Sequence, residues 1–91
     1  MNAHPDIVFR DGPAGRRAVV IGGPDVWEVV RAVKGLRESE PAIKADALPG
    51  VLQESTGVQR HTFEAAVAYY SAYPHEIDER IQEESRVEQS L

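Results

Sequence analysis

Apolar positions recur along this chain with two different periods. Ile7-Val8-Phe9-Arg10 and Arg16-Arg17-Ala18-Val19-Val20-Ile21 are short β-branched and apolar runs on either side of the turn formers Asp11-Gly12-Pro13-Ala14-Gly15, the pattern of a β-hairpin. Gly22-Gly23 ends the second strand, and from Pro24 the period changes: Val26, Val29, Val30 and Val33 fall on one helical face, which predicts a first helix over 24–35. Pro41 opens a short helix expected to reach Leu48, with Pro49-Gly50 interrupting or restarting it before Val51-Leu52-Gln53-Glu54. Phe63, Ala66, Val67 and Tyr70 at i, i+3, i+4 and i+7 predict a third helix over 59–73. Pro74 then starts a fourth, with Ile77 and Ile81 four residues apart on one face. Beyond Ile81 the stripe stops, so the last eight or so positions are expected to fray unless a partner orders them. The expected class is α+β, mostly α, with an N-terminal β-hairpin ahead of a helical bundle and a C-terminal helix.

Ninety-one residues supply one small core. A lone two-stranded hairpin is not stable in water, so it must pack on the helices or pair its edge with another chain. The chain has no cysteine, which excludes disulfide staples, thiolate metal sites and a cysteine nucleophile. A domain this small buries only about 60–65% of the surface its unfolded chain exposes, so a second copy or a partner is expected. The start lacks the cationic and apolar regions of a secretion signal and no apolar run approaches a membrane span, which makes the cytoplasm the expected location. The net charge of −5 is unevenly spread: residues 1–37 carry +2, residues 38–73 carry −3 and residues 74–91 carry −4. Nucleic-acid binding must therefore rest on a local patch and not on the overall balance.

One segment has the layout such a patch needs. In Leu52 to Val67 a glycine, Gly57, allows a positive φ in a turn, Val58 plugs the angle between two helices, and a polar run opens the second helix. This is the order of a helix-turn-helix, in which Gln59, Arg60, His61 and Thr62 would face the major groove. A plain helical hairpin has the same outline, and Glu64 opposes tight phosphate contact. Arg16 and Arg17, with Arg10 across the hairpin, form a second candidate DNA contact, the alternative being a charged edge that blocks aggregation. His4, His61 and His75 have no metal-site spacing, and the glycines form no phosphate-cradling loop. No enzyme activity, metal or cofactor is expected. Tyr70 belongs to the third helix's core stripe in this pattern, whereas Tyr69 and Tyr73 form an aromatic patch on its flank.

The hairpin, then Val20-Ile21-Gly22-Gly23-Pro24-Asp25-Val26-Trp27-Glu28-Val29-Val30, then Ala66-Val67-Ala68-Tyr69-Tyr70 and Pro74-His75-Glu76-Ile77-Asp78, resembles the domain-of-unknown-function family 433 over roughly residues 6–84. The resemblance implies VapB-like antitoxins of type II toxin-antitoxin systems with a homeodomain-like or winged helix-turn-helix fold. Family members carry a Gly-Thr-Arg turn where this chain has Gly23-Pro24-Asp25. The implied role is to neutralise a PIN-like ribonuclease toxin and, as a homodimer or toxin-antitoxin hetero-oligomer, to bind operator DNA as an autorepressor. Residues 1–73 would then form the DNA-binding unit and residues 74–91 the toxin-docking segment. Ile77 and Ile81 would be its apolar anchor, Tyr73 would lie beside them, and Arg80 or Arg86 would reach into the toxin's acidic site. A protein-interaction or assembly adaptor without DNA binding is the alternative.

Overall fold

The computed structural model describes residues 4–12 and 15–90 and is a small, mostly helical α+β fold. Strands β1 (Ile7–Gly12) and β2 (Gly15–Val20) pair antiparallel, with Ile7 opposite Val20, Phe9 opposite Ala18 and Asp11 opposite Arg16. Pro13 and Ala14 of the expected turn lie outside the described residues. Helices α1 (Val26–Ser39), α2 (Leu48–Thr56), α3 (Arg60–Ala72) and α4 (Pro74–Ser90) follow. Side chains alternate across a strand, so Ile7, Ala18 and Val20 turn one hairpin face into the core, where each is less than a tenth exposed. Val26, Val29 and Val30 of α1, Leu52 of α2, Ala66 and Tyr69 of α3 and Ile77 of α4 complete that core. Burying each of its large aliphatic side chains contributes about 1.5–3 kcal/mol.

Several boundaries differ from those the pattern predicts. Helix α1 starts at Val26 and passes through Gly35 to Ser39; a glycine inside a helix weakens it but removes no hydrogen bond. The short helix expected from Pro41 does not form. Turns occupy that stretch, and α2 begins at Leu48 and runs through Pro49 and Gly50. Proline is harmless there because N–H groups of a helix's first turn have no intrahelical acceptor. The buried face of α3 is Thr62, Ala66 and Tyr69, one residue out of phase with the expected stripe, and Phe63, Val67 and Tyr70 are only partly buried. Helix α4 continues to Ser90 and does not stop near residue 84. It lies along α1, to which it is tied by Lys34 Nζ to Asp78 Oδ1 at 2.9 Å and Arg31 Nη1 to Glu88 Oε1 at 2.7 Å.

Candidate functional site

The turn between α2 and α3 is closed from both sides. Ser55 and Thr56 donate their hydroxyls back to the carbonyls of Val51 and Leu52, and Thr56 Oγ1 accepts the Val58 N–H. Gly57 sits at φ 80°, ψ 2°, with its N–H on the Gln53 carbonyl at 2.9 Å. This left-handed stop ends α2 where a side chain would be strained. Val58, half-buried against the core, fills the angle, and Gln59 in an extended conformation starts α3.

The four residues expected to read DNA divide here. Gln59, Arg60 and His61 are exposed at the start of α3, whereas Thr62 is buried. Thr62 is thereby removed from the candidate reading surface. Its Cγ2 packs against Gly23, where an added Cβ would come within 3.4 Å. A pattern of apolar residues passes over it because threonine counts as polar, although its methyl group buries well. Arg60 donates to Glu64 at 3.2 Å across one helical turn, with both side chains well exposed. Such a pair is worth about 0.3–0.5 kcal/mol and does not lock the guanidinium in place. Beside this end of α3 lies an open groove of about 520 Å³, walled by the Gly22-Gly23-Pro24 turn and Glu28 on one side and by Thr56, Gly57 and Gln59 on the other.

Arg16 and Arg17 of the expected patch both line a cleft with Trp27 and Arg80, but their guanidinium groups are engaged separately. Adjacent strand residues point to opposite faces, and each arginine has its own partner. Arg16 stacks its guanidinium 3.9 Å from the centre of the Phe9 ring. Arg17 Nε lies 3.0 Å from Asp25 Oδ2, an ionic contact without hydrogen-bond alignment, and the same carboxylate oxygen accepts the Trp27 indole N–H at 3.2 Å. Arg17 thus ties β2 to the start of α1. Arg16 shares a cleft with Tyr69 and Tyr73 at the far end of α3, nine to thirteen residues beyond Arg60 and so about 14–20 Å along the helix at ~1.5 Å per residue. Within one copy the three arginines do not converge.

Residues assigned to toxin docking also divide. Ile77 is 3% exposed and Ile81 packs against the core, so α4 spends its apolar stripe inside this fold and the expected anchor is not at the surface. Arg80 is largely covered, faces Arg17 and Trp27, and pairs with Glu84 at 3.6 Å. Tyr73 and Arg86 are exposed. The tyrosines exchange the expected roles: Tyr69 is in the core and Tyr70 at its margin. Tyr69 hydrogen-bonds Glu76, and Tyr70 donates to Asp78 at 2.8 Å. Burial, then the Glu76 carboxylate, drives the Tyr69 phenol far above its ordinary range, so it stays a donor. Lys34 foremost, then Tyr70, lowers the Asp78 carboxyl, and the same contacts raise Lys34. Sequence reading missed this node because its members are 44 and 8 residues apart.

Among the described residues no three histidine, aspartate or glutamate side chains gather as a metal site, and no helix is long and apolar enough to cross a membrane. No family model matches the chain, and no curated protein and no solved structure matches it.

Proposed function

We propose that this chain is a small DNA-binding antitoxin, reading its own operator with the start of α3 and neutralising a ribonuclease of the PIN-like class. The observation that carries the DNA half is the left-handed Gly57 turn. It sets α3 against α2 and leaves Gln59, Arg60 and His61 exposed at the end of the helix that a helix-turn-helix inserts into the major groove. A bidentate arginine–guanine contact discriminates by about 1–3 kcal/mol, more than the exposed Arg60–Glu64 pair it would replace. The antitoxin half rests on the resemblance carried by Ala66-Val67-Ala68-Tyr69-Tyr70 and Pro74-His75-Glu76-Ile77-Asp78. Of its docking residues, Tyr73 and Arg86 are retained as toxin contacts, because Ile77 is committed to the core.

The adaptor reading has one observation in its favour: Arg16 and Arg17 are engaged within the fold, apart from Arg60, in a chain of net charge −5. Co-expression with the product of the neighbouring gene, followed by a ribonuclease assay with and without this chain, separates the two. Co-purification of a nuclease that this chain silences is the expected result. Failure to recover one, together with no binding to the upstream DNA, would overturn the proposal in favour of the adaptor.

A further inference from the structure

The two-stranded sheet has one occupied and one open edge. Ile21 donates its N–H to Asp6 at 2.8 Å, and Val20 donates outward to Pro24 at 3.1 Å. Backbone groups alternate in direction along an antiparallel pair. Val8, Arg10 and Gly12 therefore bond to β2, and Phe9 and Asp11 point their N–H and C=O groups away from it. The outer side of β2 is engaged by the chain entering α1, bridging Val19 to Asp25. On the outer side of β1 the Ile7 N–H is taken by the His4 carbonyl at 3.0 Å, and no backbone partner covers Phe9 or Asp11 among the described residues. The strand's central side chain, Phe9, is 43% exposed, and Ile7–Gly12 contains no proline to blunt the edge.

We infer that the outer edge of β1 joins two copies of this chain, antiparallel and centred on Phe9, in a continuous four-stranded sheet. The register follows from which groups are free. Only outward-pointing residues can pair with each other, and with the Ile7 N–H engaged the register centred on Phe9 keeps more bonds within the strands than the one centred on Val8. Phe9 therefore lies opposite Phe9 of the second copy, Ile7 opposite Asp11, and Val8 opposite Arg10. One diagonal step then brings Asp6 of each copy to the Arg10 of the other, within reach of a long side chain. Both Asp6 and Arg10 are exposed, and neither has an ion-pair partner among the described residues. Of the two adjacent allowed registers, Phe9 opposite Asp11 sets Arg10 against Arg10, where like charges repel, and Ile7 opposite Phe9 sets Asp6 directly against Arg10 but needs the Ile7 N–H that His4 already holds. The edge is thus complementary to itself through Asp6 and Arg10, which selects a second copy over an unrelated strand. The inference stands whether or not the chain binds DNA.

Sedimentation equilibrium without DNA, across the micromolar range, tests it on wild type, Asp6→Arg, Arg10→Asp and the double variant, with circular dichroism to verify folding. Wild type is expected at twice the 10.0 kDa chain mass. Each single variant, placing like charges across the joint, is expected at the monomer mass, and the double variant, which restores opposite charges, at the dimer mass. A monomeric wild type, single variants that remain dimeric, or a double variant that fails to recover the dimer would each overturn it.

Discussion

Replacing Gly35 and Gly57 by alanine, one at a time, is expected to move stability in opposite directions. Gly35 lies inside α1, and a Cβ built on it meets nothing within 4 Å. Alanine there gains the full difference in helix propensity, about 0.8–1.0 kcal/mol. Gly57 also has open space for a Cβ, so no clash contributes; the cost is its φ of 80°. A left-handed conformation costs an alanine about 1–2 kcal/mol, and the reduced freedom of the unfolded chain returns about 0.4–1 kcal/mol of it. The net loss lies between about 0 and 1.6 kcal/mol, centred near 0.8, and Gly57→Asn should lose less because asparagine tolerates this region. At roughly 4–8 °C per kcal/mol for a domain of this size, both changes are resolvable by thermal or urea unfolding followed through the one tryptophan, the half-buried Trp27. Destabilisation by Gly35→Ala would mean that α1 ends at Gly35. A stabilising Gly57→Ala would refute the left-handed turn and, with it, the geometry between α2 and α3.

Ile77→Ala should destabilise the isolated chain by about 2–5 kcal/mol in urea denaturation, the cost of a core truncation; an unchanged midpoint would return Ile77 to the surface. Asp78→Asn should cost less than about 1 kcal/mol at neutral pH, since its pair with Lys34 is partly exposed. Because the Asp78 carboxyl is lowered in the fold, its contribution is fully present above the ordinary aspartate range and lost as pH falls through the lowered value. Unfolding monitored between neutral and strongly acid pH should therefore show a shallower acid limb in Asp78→Asn. Lys34 is raised, so its contribution persists below the ordinary lysine range and disappears only as pH rises through the raised value. Lys34→Met should flatten the alkaline limb, and a wild-type slope there would dissociate the pair.

The hairpin and the last helix were legible because they depend on local signals, β-branched runs around Asp11-Gly12-Pro13 and the proline at 74 where α4 begins, whereas Pro41 pointed to a helix that does not form and α2 begins at Leu48. The Gly57 turn was equally local, since a positive φ after a helical run favours glycine. Facing was harder to read. Counting apolar residues on α3 selects Phe63 and Tyr70, but the fold buries Thr62 and Tyr69, whose polar atoms are not charged as apolar in any hydropathy pattern. Tyr69 tolerates burial because Glu76, seven residues away across the Tyr73 break, accepts its hydroxyl. Likewise the apolar stripe of α4 ends at Ile81, yet the helix continues to Ser90, with Glu88 paired to Arg31 some 57 residues earlier. For the candidate site, the sequence located the turn and the exposed Gln59, Arg60 and His61. It could not foresee that Asp25 and Phe9 would take up Arg17 and Arg16, because those contacts depend on strand register and helix approach.

The central claim is that the start of α3 reads DNA, and fluorescence anisotropy on the fragment upstream of the gene tests it most directly, titrated at several salt concentrations with wild type and Arg60→Ala. The account predicts specific binding by wild type and a loss of about 1–3 kcal/mol, roughly 5- to 150-fold in affinity, in the variant. Wild-type affinity and an unaltered salt slope in Arg60→Ala would contradict it.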